Sequence, residues 1–269
     1  MPPSSIITLT TDFGVSDHFV GTMKGVILSI NPAARIIDIS HQVNSHDVFD
    51  AAFTLFQAYR YFPPDTIHMA VVDPGVGTAR RPVIARSGRY TFVAPDNGVL
   101  SLIYEEEESI EVREITASHY FLSPMSHTFH GRDVFSPVAA WLSKGVEVAK
   151  FGDPVTDFVR FVSPKPKPAG DQRFQGVVLK VDKFGNLITN FSARQFPALL
   201  QENLPAFRLS IGQHHIEKLS VSFADGQPGE LLAMVGSSGF VEICANRGSA
   251  AKLLQANRGA EAILTLGTG

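Results

Sequence analysis

Carboxylates, guanidinium groups and imidazoles gather in short stretches of this chain. Thr11-Asp12-Phe13-Gly14 with Asp17 comes first, then Asp73-Pro-Gly-Val-Gly77 running on to Arg80 and Arg81, then Pro95-Asp96-Asn97-Gly98, and last Thr128-Phe-His130-Gly-Arg132-Asp133. Several ionisable side chains thus fall just after strand-like runs, where the ligands of open α/β sheets lie. Each stretch alone also reads as a turn, because Asp-Pro-Gly, Asn-Gly and Asp close to Gly are favoured turn sequences. Their recurrence after strand-like runs is what points to a site. His41, His46, Asp47, His127 and His130 offer donors that suit zinc or iron. No His-Glu-x-x-His is present, and His127 and His130 fit a helix cap or a single catalytic histidine as well as a metal. Gly14, Gly21 and Gly25 miss the dinucleotide fingerprint, and Gly75-Val-Gly77 lacks the lysine of a phosphate loop. Ser123, Ser126 and Ser136 stand near His130 without a Gly-x-Ser-x-Gly elbow, so a serine hydrolase has little support.

These residues need elements to carry them. Ile6 to Leu9 reads as a buried strand, and Met23, Val26, Ile27 and Ile30 as one face of a helix that Asn31-Pro32 ends. The pattern repeats with a strand at Ile36 to Ile39 and a helix bearing Val48, Ala52, Leu55, Phe56 and Tyr59 behind candidate caps Ser45 and Asp47. Strands follow at Ile67 to Val72, Val83 to Ala85 and Tyr90 to Val93, and a helix carries Ala139, Ala140 and Leu142. Alternating strands and helices predict a three-layer α/β/α domain with a mostly parallel sheet covered on both faces. Ligands of such sheets lie beyond the carboxyl ends of the strands, where the polar stretches fall.

Ser163-Pro-Lys-Pro-Lys-Pro-Ala-Gly-Asp171 has the composition of extended, solvated chain and is expected to link a 1–162 α/β domain to a 172–269 domain. In the latter, period-two runs recur at Val177, Leu179 and Val181, at Phe207, Leu209 and Ile211, at Val221 and Phe223, at Val241 and Ile243, and at Leu264 and Leu266. Turns at Gly185-Asn186, Gly212-Gln213 and Gly236-Ser-Ser-Gly239 predict a small antiparallel β-barrel or sandwich, with a compact open sheet as the alternative. The acidic run Glu105 to Glu108 is read as a solvated loop or helix end.

Composition removes several classes of function. The 269 residues are 44% hydrophobic and 18% charged, enough for one large core or two modest ones. A net charge of −3 without a basic block leaves nothing to hold a phosphate backbone, so no nucleic-acid partner is expected. One cysteine, Cys244, excludes an intrachain disulfide and a thiolate metal cluster and favours the cytoplasm. No membrane span is expected, and Met1 to Ser5, followed by Thr8, Thr10, Thr11 and Asp12, does not read as a signal peptide.

Taken in order, Ile7-Thr-Leu-Thr-Thr-Asp12-Phe-Gly-Val-Ser-Asp17, Ile37-Asp-Ile-Ser-His41, Val71-Val-Asp-Pro-Gly-Val-Gly77 with Arg80-Arg81, Ala94-Pro-Asp-Asn-Gly98, Thr128-Phe-His-Gly-Arg-Asp133, Asp182-Lys-Phe-Gly-Asn186-Leu-Ile-Thr-Asn190 and Ser237-Ser-Gly-Phe-Val-Glu-Ile243 with Asn246-Arg-Gly-Ser-Ala250 resemble the S-adenosyl-L-methionine (SAM) hydrolase family. These enzymes are also called SAM hydroxide adenosyltransferases, and fluorinases and chlorinases are their relatives. The resemblance covers nearly the whole chain. It implies that SAM is the substrate, that no cofactor is needed, and that Asp73, Arg80 and His130 activate a water. The products would be adenosine and methionine. Halogenating relatives have a hydroxyl or small apolar cage at the position of Asp73, which would repel a halide, so hydrolysis is expected over halogenation.

Other roles follow from the same resemblance. Asp12 corresponds to a carboxylate accepting from both ribose hydroxyls, with Asp17 nearby, and His46 stands where relatives place an aromatic against the ribose or sulfonium. Asp182 is expected at the methionine ammonium, Phe184 and Phe223 beside the adenine ring, Asn186 as an adenine hydrogen-bonder, and Ser237 on the methionine part. Ser238, Glu242 and Arg247 complete the expected substrate-binding set. Ser238 replaces an arginine that binds the methionine carboxylate in a halogenase relative, and Arg247 replaces a small residue. Neutral His130 is expected to be the better-matched base, with Asp73 orienting the water or the imidazole. A homotrimer is implied, each site lying between the sheet domain of one subunit and the barrel domain of its neighbour. The rivals are a halogenase of the same fold, a non-catalytic SAM or adenosine sensor, and a metal-dependent hydrolase.

Overall fold

The computed structural model describes residues 6–201 and 206–267, so the reading of Met1 to Ser5 lies outside the described residues. The chain divides into two compact units, Met1–Val162 and Ser163–Gly269. Each is described by itself.

The first unit holds a six-stranded sheet formed by β1 (Ile6–Thr11), β2 (Arg35–Ser40), β3 (Ile67–Val71), β4 (Pro82–Ser87), β5 (Thr91–Pro95) and β6 (Ile110–Glu114). Their order across the sheet is β2-β1-β3-β5-β4-β6. Strands β2, β1, β3 and β5 run parallel, while β4 is antiparallel to both β5 and β6. Helices α1 (Phe19–Ile30), α2 (Val48–Ala58), α3 (Ser101–Glu106) and α4 (Ser136–Ser143) cover it. Successive side chains of a strand face opposite ways, and the two cores show it. Ile67, Met69, Val71, Ile84 and Val93 pack with Met23 and Ile27 of α1 and Val138 and Ala139 of α4. Ala70, Val83, Ala85, Phe92 and Ala94 pack with Ala51 and Leu55 of α2 and Ile103 of α3. The three expected layers are therefore present. Of the two candidate caps of α2, Asp47 accepts from Asp50 N at 3.0 Å.

The chain leaves β1 toward β2 on one side, while β3 lies on the other, which makes the β1/β3 gap a topological switch point. Thr11 pairs with Val71 at its end. Asp12 and Asp73 thus follow the carboxyl ends of neighbouring strands.

The second unit contains β7 (Lys167–Pro168), β8 (Arg173–Val181), β9 (Leu187–Ser192), β10 (Ala206–Ile211), β11 (His214–Ile216), β12 (Leu219–Ser220), β13 (Leu231–Val235), β14 (Phe240–Ala245) and β15 (Glu261–Gly267), with the short helix α5 (Ala250–Leu254). The strands form one sheet in the order β11-β10-β15-β8-β9-β14-β13-β12, with β7 added on β8. Strand β11 approaches β13, so the sheet curls nearly into a barrel around Val178, Leu187, Leu209, Ile216, Val241, Ile243 and Leu264.

Several sequence expectations shift here. The proline-lysine stretch carries β7, paired with Phe174 and Gln175. Val178 rather than Val177 enters the barrel core, because a bulge between Val178 and Lys180 moves the alternation of β8 by one place. Val221 and Phe223 are not a strand: Val221 is 96% exposed, and Phe223 begins a single 3₁₀ turn, Phe223–Asp225. The sheet is not wholly antiparallel either, since β12 pairs parallel to β13.

Candidate active site

The connection from β3 to β4 is built as consecutive turns. Val76 N donates to Asp73 O at 3.2 Å, Thr78 N and Thr78 Oγ1 donate to Gly75 O at 3.2 and 2.7 Å, and Arg80 N donates to Thr78 Oγ1 at 3.3 Å. This geometry turns Arg80 back onto Asp73. Arg80 Nε donates to Asp73 Oδ1 at 3.1 Å and Arg80 Nη2 donates to Asp73 Oδ2, a two-pronged ion pair whose side chains are only 7% and 5% exposed. Nη2 also lies 3.1 Å from Nδ1 of His130, and the guanidinium carbon sits 5.3 Å from the centre of the Phe135 ring. The three residues expected to act together are together.

Two features of the chain bring His130 in. Gly131–Phe135 forms a π-helical turn leading into α4, and His130 immediately precedes it, its side chain free of any capping bond and turned to Arg80. Gly77 has φ +76°, and a Cβ there would collide with the carbonyl oxygen of His127, so only glycine lets the Asp73–Arg80 loop lie against the loop before His130. Asp133 is 1% exposed, and its carboxylate holds Ser126 N at 2.8 Å and Arg132 Nε at 2.6 Å. Asp133 is thus a loop fastener.

Electrostatics set the protonation states. Burial raises the Asp73 carboxyl above its ordinary range, against the opposing pull of Arg80, His130 and the Gly75 amide. Burial first, and the Arg80 charge second, hold the His130 imidazole below its ordinary value. His130 is therefore neutral at pH 7. Arginine carries only donors, so His130 Nδ1 accepts and the ring proton resides on Nε2. His130 Nε2 and Arg80 Nη1 are both buried without a hydrogen-bond partner among the described residues. Two unsatisfied N–H donors beside a carboxylate are suited to hold one small oxygen species.

Asp12 lies one strand away. Its Oδ2 accepts from His46 N at 2.8 Å, and His46 itself is exposed with φ +64°. Asp17 is exposed. Phe13 meets Phe19 at 5.6 Å and Phe129 at 5.8 Å between ring centres, which couples the Asp12 loop to the residue preceding His130. The stretch Pro95–Gly98 is structural: Asp96 binds Arg81 Nη2 at 2.8 Å and Val159 N at 2.8 Å, while Asn97 Nδ2 donates to Val72 O at 2.9 Å. Phe135 and the Phe13, Phe19, Phe129 cluster escape a sequence reading, because a phenylalanine in an apolar run looks like any core residue.

In the second unit, Asp182 Oδ1 accepts from Phe184 N and Asn186 N, and Oδ2 from Asn186 Nδ2, each at 2.8 Å. Asp182 and Asn186 thus fasten the β8–β9 turn, with Phe184 at its tip, 75% exposed. Ser238 Oγ donates to Glu242 at 3.1 Å; burial, and next the Asp182 charge, outweigh that bond and raise the Glu242 carboxyl. Ser237 and Arg247 are exposed on turns, Arg247 with φ +53°, and Phe223 is 47% exposed.

No group of three or more His, Cys, Asp or Glu among the described residues could hold a metal ion, and no helix there is long and apolar enough to cross a membrane.

Residues 7–152 match the SAM hydroxide adenosyltransferase N-terminal domain and residues 176–263 the corresponding C-terminal domain. A relative from Salinispora tropica named (R)-S-adenosyl-L-methionine hydrolase is 38% identical, the match covering 99% of this chain and all of that protein. A protein from Actinoplanes named fluorinase is 28% identical over 90% of this chain and 91% of its own length. The crystal structure of an uncharacterized conserved protein from Thermotoga maritima superposes with a TM-score of 0.90 at 38% identity, covering 96% of this chain and 99% of that one. With both domains matched and full-length relatives at this identity, the chain belongs to the SAM hydroxide adenosyltransferase family.

Proposed function

We propose that the chain is an enzyme that hydrolyses SAM to adenosine and L-methionine, using one water held by Asp73, Arg80 and His130 in line with the ribose C5′–sulfur bond. The observation that carries this reading is the buried Asp73–Arg80–His130 cluster with its two unpaired donors, Arg80 Nη1 and His130 Nε2. A sulfonium leaves as a neutral thioether and needs no proton, so the barrier rests on the nucleophile. The water oxygen bonds to C5′, the C5′–sulfur pair goes to sulfur, and one proton is released. Positioning of such a pair can supply about 7–11 kcal/mol, more than a general base alone.

The expected assignment of the base changes with the hydrogen bonding. His130 Nε2 carries a proton and acts as donor, so the acceptor left for the water proton is Asp73, whose carboxylate keeps acceptor capacity beyond the Arg80 fork and the Gly75 amide. Burial raises its affinity for that proton. A negative group at this point disfavours a bound halide, which supports hydrolysis over halogenation.

Asp12 is read as the ribose carboxylate, with Asp17 and His46 beside it. The second-domain set, Asp182, Phe184, Asn186, Phe223, Ser237, Ser238, Glu242 and Arg247, is read as holding adenine and methionine. The division into a 1–162 sheet domain, a 163–171 linker and a 172–269 barrel domain belongs to the same reading, supported by the two compact units. So do a homotrimer, supported by exposed Phe184 and Phe223, a reaction without metal or cofactor, and a cytoplasmic location, in keeping with a lone buried Cys244. The decisive experiment is turnover of SAM in ¹⁸O-water. Label at the adenosine 5′ oxygen supports the reading, and tight binding of SAM without methionine release removes it.

A further inference from the structure

His41 has no part in the chemistry above, yet it is a buried titratable side chain, 5% exposed, just beyond β2. Its surroundings connect it to Asp12 from several directions. Nδ1 lies 2.8 Å from Thr11 Oγ1, and Nε2 lies 3.0 Å from Asp38 Oδ1. Asp38 Oδ2 in turn accepts from Lys24 Nζ of α1 at 2.6 Å. The Asp38 charge beside Nε2 favours the ring proton there, although this N–H makes no aligned hydrogen bond among the described residues, so Nδ1 accepts from the Thr11 hydroxyl. Thr11 Oγ1 then accepts from Phe13 N at 3.4 Å. The backbone of the same residue acts as well, His41 O accepting from Gly14 N at 2.7 Å.

Asp12 therefore sits between two residues that His41 orients, Thr11 directly and Phe13 through the Thr11 hydroxyl, with Gly14 held just beyond. Val43 N donates to Thr11 O at 3.3 Å and His46 N to Asp12 Oδ2 at 2.8 Å, so the two loops run side by side, clamped along their length. Among these contacts the imidazole is the one that reaches back into the sheet unit, to Asp38 on β2 and Lys24 on α1.

We propose that His41 is a positioning residue for substrate recognition: the Lys24–Asp38–His41–Thr11 chain sets the angle at which the Asp12 carboxylate meets the ribose hydroxyls. This rests on the reading of Asp12 as the ribose carboxylate. A lone histidine clamping a loop for stability alone would make a different prediction, because it would not distinguish a ligand with ribose hydroxyls from one without them.

The test is calorimetric binding of adenosine and of 2′,3′-dideoxyadenosine to the full chain and its variants. Wild type is expected to prefer adenosine, and Asp12→Asn to lose the preference. His41→Leu is expected to cut the preference about tenfold, the size expected for misaligning a hydrogen bond to a charged group. His41→Asn, whose amide oxygen can take the place of Nδ1, should restore part of it. Thr11→Val, nearly the same shape without the hydroxyl, gives the same answer should His41→Leu fail to fold. In the Asp12→Asn background, His41→Leu should have no further effect on the preference. If Asp12→Asn abolishes the preference and both His41→Leu and Thr11→Val retain it, the proposal is overturned while the ribose reading stands. If Asp12→Asn keeps the preference, the ribose reading itself is wrong, and the proposal goes with it.

Discussion

Acid should weaken the first unit by an amount that one side chain largely sets. His68 on β3 has no exposed surface; Thr8 Oγ1 lies 2.7 Å from its Nδ1, and Nε2 has no hydrogen-bond partner among the described residues. Phe92 stacks on it at 5.3 Å, and Tyr59, Phe62 and Tyr90 present their edges. Burial alone lowers its pKa from 6.5 to about 3. Above pH 6.5 the ring is neutral in both the folded and unfolded chain and contributes no pH dependence. Below it, the unfolded chain binds a proton that the folded one refuses, so folding stability falls by about 1.36 kcal/mol per pH unit until the folded group also titrates near pH 3. The loss reaches about 2 kcal/mol at pH 5 and about 4 kcal/mol at pH 3, a large part of the roughly 5–15 kcal/mol that holds a domain together. Urea unfolding followed by fluorescence of Trp141, the single tryptophan and a residue of the same unit, measures it. His68→Gln lacks the titration, whatever packing it loses, so its stability should decline less between pH 7 and pH 5 than that of wild type. Parallel declines for the two proteins would refute the reasoning.

Further predictions concern the site. His130→Gln, which keeps an Nε2–H donor, should retain much of the turnover. A drop of about 10²–10⁴-fold there would make His130 the base after all. Asp73→Asn should reduce kcat far more than SAM affinity in steady-state and binding measurements; equal losses would assign it to binding. With Asp73 as the proton acceptor, kcat should rise with pH through a pKa above the ordinary 3.8 and then level off, and a rate limb falling as pH rises there would contradict that role. Gly77→Ala should lower stability by more than about 1 kcal/mol and slow turnover, because the left-handed backbone and the His127 carbonyl leave no room for a methyl; thermal unfolding and kcat check both.

Much of the sheet unit was legible because buried parallel strands and amphipathic helices write their periods openly. Ile67, Met69 and Val71 alternate with His68 and Ala70 across two faces of one strand. The polar stretches after β1 and β3 were legible because ligand sites in such sheets follow strand ends. Less legible was which carboxylate does what. Asp96 and Asp133 look in sequence like Asp73, but they spend their oxygens on Arg81, Val159, Ser126 and Arg132, contacts that only the folded chain reveals. The barrel was harder for another reason. The one-residue offset in β8 puts Val178 where Val177 was expected, and nothing local in Val-Val-Leu marks it.

The reversed strand β4 has a consequence for how the site comes together. A parallel strand in its place would have required a crossover to the far edge, carrying Arg80 away from Asp73. Running backwards, β4 starts at the edge where β3 ends, and the acid and the guanidinium are neighbours seven positions apart. Chain continuity alone brings these two to one another at low closure entropy, whereas His130, fifty positions on, arrives only when the helical layer docks. Gradual loosening of this unit should therefore shed the imidazole first and leave a charged pair that still meets but no longer frames the water.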